Sequence, residues 1–259
     1  MSFAAQADHS SPSDRDFILD AIRHYFMAGD MGSSTELRQA FHPDAMMFWV
    51  SSEGVLQSRS QSQWCELLDK AAPPAPALRR HVQWIDLSGS MAVAGLLSQF
   101  PQYQFQDYVL LARASGRWQI VAKVFQRVEG EGGVLHSGSA ATDDRRAEIL
   151  DVLATVFRAT DTYDADLLSQ SYHPRATCAE VVEDQLVTLA LPEWQAQWRK
   201  KRAAGELNIA ARSIAKLESC GDAAMVTMVH DNGSFPVSEY ALMLKVEGAW
   251  KVMALTCAR

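Results

Sequence analysis

The sequence predicts an α+β protein in which one domain is written twice. Three observations carry that prediction. Phe41-His42-Pro43-Asp44-Ala45 recurs as Tyr172-His173-Pro174-Arg175-Ala176, and the two histidines set a register of 131 residues. Each copy runs through the same order of patterns: helix, helix, strand, strand, helix, then strands. The last strands of each copy are apolar at both parities, so both faces of the sheet must be covered.

Each element has its own local signal. Ser13 is a natural N-cap, and Asp14 to Ala28 carries apolar side chains at 17, 18, 21, 22, 25 and 26, one helical stripe that Gly29 would end. A short helix comes next, from about Ser34 to Phe41, where His42-Pro43 stops it, because a residue before proline is pushed out of the helical region. Met46 to Val50 reads as a strand, and Gln61 to Lys70 as a third helix bearing Trp64, Leu67 and Leu68. Pro73, Pro74 and Pro76 break the chain after that helix. Apolar runs at about 80–87, 91–100, 105–113 and 117–126 then form an antiparallel meander, punctuated by Ser88-Gly89-Ser90, Pro101 and Ser115-Gly116.

The second copy repeats these signals. Ile18 matches Ile149, Phe26 matches Phe157, Asp30 matches Asp161, Trp64 matches Trp194, Tyr108 matches Tyr240 and Trp118 matches Trp250, with register drifts of one residue between elements. The domains are therefore 14–128 and 143–259, joined by a Gly/Ser/acid linker over 129–142. Helices within one copy can cover only the concave face of its sheet. The two sheets are thus expected to pack convex face to convex face as an internal pseudo-dimer, and a further homodimer of the whole chain remains open.

Composition excludes several classes of function. Lys and Arg total 24 against 31 Asp and Glu, a net charge of −7 that argues against nucleic acid as a partner. The basic run Arg199-Lys200-Lys201-Arg202 reads as a solvated helix end. Cys65, Cys178, Cys220 and Cys257 are scattered, and the seven histidines never take a metal-ligand spacing, so no metal is expected. There is no Gly-rich phosphate loop and no nucleophile elbow, so no cofactor is expected. Met1 to Ser13 lacks an apolar signal core and no run approaches a membrane span, which predicts a soluble, cytoplasmic protein with no membrane partner.

The helix ending in Ala28-Gly29-Asp30, the Phe-His-Pro-Asp-Ala motif, the strand opening Asp107-Tyr108 and the run Gly116 to Phe125 together resemble the putative lumazine-binding family. That family belongs to the nuclear transport factor two-like, cystatin-like superfamily, with ketosteroid isomerase and polyketide cyclases. The resemblance covers nearly the whole chain, twice. It implies two tandem cone-shaped domains, each a curved, mostly antiparallel sheet wrapped around three helices, and a pocket for a small, largely apolar organic ligand. It does not choose an activity, because such cones host lyases, isomerases, cyclases and binding modules.

Within that frame, the turn at Ser115-Gly116 is expected to bring Asp107 opposite Lys123, as a structural salt bridge or as a pair that polarises a ligand in the first pocket. Ketosteroid isomerase has a protonated carboxylic acid at the strand position of Asp107. In the second copy Glu239 replaces Asp107 and Leu255 replaces Lys123, so a buried Glu239 without a cation is expected to stay protonated and donate. The isomerase general base falls on Glu180, where the first copy has Trp49. Glu180 as base and Glu239 as acid would move a proton next to a carbonyl, as a metal-independent lyase, isomerase or cyclase does. Glu180, Glu183 and Asp184 could equally be a solvated strand end. Tyr25 is expected to point into the first cone or to be plain core, His230 stands where the first copy has Ser98, and His42 and His173 are expected to cap helix ends through free carbonyls. The rival reading is a non-catalytic module that binds a ligand or protein through the cone mouth.

Overall fold

A computed structural model describes residues 13–72, 75–130, 143–231, 233 and 236–257. The first copy comprises α1 (Asp14–Met31), α2 (Ser34–Ala40), β1 (Phe41–Val50), β2 (Leu56–Ser60), α3 (Gln61–Lys70), β3 (Arg79–Ser88), β4 (Met91–Gln99), β5 (Tyr103–Ala114) and β6 (Arg117–Glu129). The second repeats it as α4 (Asp143–Thr162), α5 (Ala165–Ser171), β7 (Tyr172–Val182), β8 (Gln185–Ala190), α6 (Leu191–Ala203), β9 (Ala211–Cys220), β10 (Ala223–Asp231), β11 (Pro236–Val246) and β12 (Ala249–Cys257). The two six-stranded sheets have the same order, β2-β1-β6-β5-β4-β3 and β8-β7-β12-β11-β10-β9. All pairings are antiparallel except β1 with β6 and β7 with β12. The interdomain segment from 131 to 142 lies outside the described residues; Glu129 is the last residue of β6.

Local chemistry explains the boundaries. Ser13 caps α1 in a full capping box with Asp16, whose carboxylate accepts from the Ser13 backbone N–H at 2.8 Å. The expected stop at Gly29 is wrong by most of a turn, since α1 runs to Met31 and Gly32, with φ of 63°, makes the left-handed cap. Gly29 serves a different need, because a Cβ there would lie 2.8 Å from the Arg80 guanidinium that crosses the helix. Ile18, Ala21, Ile22 and Tyr25 are buried as the periodicity requires, but Phe17 is half exposed and Phe26 only partly buried. The first strand begins at Phe41 rather than Met46, with a register break between the two.

The two histidines before proline are not helix caps. His42 Nδ1 accepts from the backbone N–H of Asp44 at 3.2 Å, and His173 Nδ1 does the same with Arg175 at 3.1 Å. Each ring closes a two-residue turn at the start of a strand, where proline has removed one ladder donor. Burial pulls both imidazoles below the ordinary histidine range, Asp44 opposing this at His42 and the Arg175 charge reinforcing it at His173.

Three apolar clusters build the molecule. One lies inside each cone, between helices and concave face. The third lies between the sheets: Tyr108, Leu110 and Val124 of the first copy meet Met225, Tyr240 and Leu242 of the second. The apolar-at-both-parities strands therefore do face a second sheet, as an internal pseudo-dimer. Polar bonds fix its register, with Trp84 Nε1 donating to Glu218 at 2.7 Å and Thr227 Oγ1 to Asp86 at 3.1 Å. Trp84 and Lys216 are equivalent positions of the two copies, and the Lys216 ammonium sits 3.2 Å from the Trp84 ring centroid. Equivalent positions meet in this way only at a two-fold axis. Trp84 reaches it by lying on Gly95, where a Cβ would approach the indole to 2.6 Å.

Candidate functional site

Each cone encloses a pocket between α1, α3 and the concave sheet, or their equivalents. The first has a volume of about 280 Å³ and is walled by Tyr25, Met47, Trp49, Trp64, Leu68, Phe100, Tyr103, Phe105 and Phe125, with Arg59, Arg80 and Lys123 as its cations. The second is larger, about 450 Å³, and is lined by Tyr172, Cys178, Glu180, Trp194, Trp198, His230, Glu239 and Leu255 among others. Every site residue expected from sequence except Asp107 thus lines a pocket, and Asp107 sits just behind one.

In the first cone, Asp107 is fully buried and its Oδ1 lies 3.0 Å from Lys123 Nζ. The two are not directly opposite: Asp107 pairs with Phe125, and Lys123 pairs with Val109. A bulge between Leu110 and Leu111 shifts the hairpin register, so Asp107 and Lys123 are diagonal neighbours on one face, still within reach for a long side chain. Tyr25 completes the group: its hydroxyl donates to Asp107 Oδ2 at 2.6 Å and accepts a hydrogen bond from Lys123. Burial pushes the Tyr25 phenol well up, with the Asp107 carboxylate adding to the effect. Burial also pulls the Lys123 ammonium down, against the upward pull of Asp107. Tyr25 and Phe125 present ring faces 4.7 and 4.6 Å from the ammonium.

In the second cone this trio is absent. Val156, Glu239 and Leu255 occupy the positions of Tyr25, Asp107 and Lys123. Glu239 is not the isolated acid that the loss of Lys123 suggested, because His230 has arrived from the neighbouring strand and its Nε2 lies 2.8 Å from Glu239 Oε2. Behind it, Arg212 Nε donates to His230 Nδ1 at 2.9 Å, Arg212 donates to the Asn208 carbonyl at 2.7 Å, and Arg212 is ion-paired with Asp161. An arginine nitrogen can only donate, so Nδ1 must accept and Nε2 must carry the ring proton. That N–H stands 2.8 Å from Glu239 Oε2 without hydrogen-bond geometry, so Nε2 is a buried, unpartnered ring nitrogen in charge contact with the carboxylate. Glu180 and Glu239 are both in register with position 257 of the strand between them. They lie on one face of the sheet, about 10 Å apart at the backbone by two strand spacings.

The arginine chain was missed in the sequence although its signal was present. Asp30, Arg80 and Ser98 form the same chain in the first copy, with Arg80 bonded to Asp30 at 2.6 Å and to Ser98 at 2.7 Å. Asp30 with Asp161 and Arg80 with Arg212 keep the repeat register, so a partly buried Asp–Arg pair could have been read from the repeat alone. Tyr172 was also missed. It stands where the first copy has Phe41, lines the second pocket, and has its phenol pushed well up by burial and by Glu239.

Among the described residues no three His, Cys, Asp or Glu side chains are grouped as metal ligands, and no helix is long and apolar enough to cross a membrane. Arg199 to Arg202 form the exposed basic end of α6, as expected.

The sequence pattern of the putative lumazine-binding family matches residues 13–126 and again residues 144–256. The chain belongs to that family. Aldolase FrzH from a Cladobotryum species is 26% identical over 121 residues, which are 46% of this chain and 95% of that protein. Among solved structures, an NTF2-like protein of unknown function from Shewanella baltica is similar at 21% identity, covering 47% of this chain and 100% of its own, with a TM-score of 0.41. A ketosteroid isomerase-like protein from Erwinia carotovora is similar at 13% identity, covering 45% of this chain and 96% of its own, with a TM-score of 0.37. As a member of the putative lumazine-binding family, the chain carries the family domain twice, and the two cones have different walls: aromatic around a buried cation in one, acidic with a histidine in the other.

Proposed function

We propose that the chain is a cofactor-independent lyase, isomerase or cyclase that moves a proton next to the carbonyl of a small, largely apolar organic molecule. The observation that carries this reading is the Arg212–His230–Glu239 chain ending in the second pocket. It places an imidazole, held from behind by Arg212, 2.8 Å from a carboxylate that lines the pocket, an arrangement suited to moving a proton. The imidazole beside Glu239 suits it to the base role, the reverse of the assignment the family resemblance suggests. Glu239, with the His230 imidazole 2.8 Å away, takes the proton, and Glu180 handles it at the far side of the bound molecule. The Tyr172 hydroxyl, kept neutral by burial, is the donor for a carbonyl oxygen. The aldolase name of the Cladobotryum relative fits this class, because an aldol step begins with the loss of a proton beside a carbonyl.

Solvent deuterium exchange into apolar ketones such as 4-phenyl-2-butanone, monitored by NMR, tests the proposal. The expected outcome is exchange catalysed by the wild-type chain and reduced about 10²-fold or more in Glu239→Gln, the ordinary reach of an acid-base group, with little change in melting. Undiminished exchange in that variant would remove Glu239 from the mechanism. The rival, a non-catalytic binding module, is favoured by Trp49, which fills the base position of the first cone and stacks on Phe125 at 5.5 Å; binding of such ketones without exchange would establish it.

A further inference from the structure

We infer that Lys123 is an imine-forming lysine: the first cone captures an apolar aldehyde or ketone covalently at its Nζ. This rests on the proposed reading only in taking the ligand to be a carbonyl compound, and it is independent of Glu239.

Four features point to it. Lys123 is 5% exposed yet lines the cavity, so its amine can be reached only from inside the pocket. Burial lowers its proton affinity, the usual way in which a lysine becomes a nucleophile near neutral pH. Asp107 Oδ1 at 3.0 Å and the Tyr25 hydroxyl are in place to receive and return protons. Finally, the second copy is an internal control for the structural alternative. It folds the same sheet with Val156, Glu239 and Leu255 in these positions, so the cone does not require the trio. A buried ion pair is in any case a poor source of stability compared with apolar residues of similar size.

The chemistry balances without an outside reagent. The ammonium passes one proton to Asp107, and the freed lone pair forms a C–N bond to the carbonyl carbon while the C=O π electrons go to oxygen. That oxygen collects a proton from Asp107 and a second from nitrogen by way of Tyr25. It then leaves as water as the C=N bond forms. An ammonium and a carbonyl become a protonated imine and water, so the single positive charge beside Asp107 is conserved.

The test is reductive trapping on the full-length protein, with benzaldehyde and sodium cyanoborohydride near neutral pH and the adducts located by peptide mass spectrometry. Labelling of Lys123 at least about tenfold faster than any of the six other lysines is expected, as for an activated amine. Tyr25→Phe should slow that labelling, and Glu239→Gln should leave it unchanged while reducing deuterium exchange. Adducts confined to surface lysines on a folded wild-type chain would overturn the inference. Because the decisive readout uses no variant at Lys123, a misfolded mutant cannot obscure it, and a wild-type chain that labels at Lys123 but catalyses no exchange would refute the proposed function alone.

Discussion

His42 and His173 show how a single side chain converts a proline into a turn, and they make stability depend on pH. Each uses Nδ1 as an acceptor for a backbone N–H two residues on, and burial holds each below the usual histidine value of 6.5. The native state therefore binds fewer protons than the unfolded chain below that value. The stability these rings contribute is complete above it and is lost as pH falls through it. Melting temperature should decline between about pH 7 and about pH 5, and replacing both residues with Asn, whose side-chain oxygen can accept the same N–H, should flatten that decline. An unaltered slope in the double variant would assign the effect elsewhere. The sequence placed these histidines correctly in the motif but misread their partner, because helix-end carbonyls and strand-start amides lie within a few residues of each other at a helix-to-strand junction.

At the scale of elements, close approach explains what propensity misses. Gly29 and Gly95 were both visible as residues, yet neither is a punctuation mark; each is a gap through which Arg80 or Trp84 passes. Gly95→Ala should therefore destabilise the fold by about 1–3 kcal/mol, the ordinary cost of overpacking, seen as a lower urea midpoint. Shortening Trp84 to Leu in the same chain should restore part of the loss. If Gly95→Ala melted like wild type, the strand would have to flex more than the geometry implies. The same limit explains the Asp107–Lys123 register. Charge complementarity predicted the pair, but the bulge that makes it diagonal depends on sheet curvature, which no local pattern of β5 or β6 encodes. His230 and Glu239 were each named from sequence, but their contact was not, since it depends on Arg212 fixing the imidazole from a third strand.

For the whole molecule, periodicity and repeat were enough to foresee two cones placed back to back. Met225, Tyr240 and Leu242 are buried only because the other sheet covers them. Residues 143–259 expressed alone should associate with themselves or precipitate, as measured by light scattering; a stable monomer would show that the intersheet contact is dispensable. The substitutions that separate the cones were legible too, but not the contacts they make. These substitutions are a handful at equivalent positions, Tyr25 to Val156, Ser98 to His230 and Lys123 to Leu255, whose meaning depends on which side chains point inward.

The stack of Lys216 on Trp84 shows what fusion makes available. Separate subunits would oppose indole to indole, or ammonium to ammonium, at the diad. Only concatenated halves can set ring against cation there, and every later mutation then enters once rather than twice, so one chamber can change its chemistry while its twin retains its own.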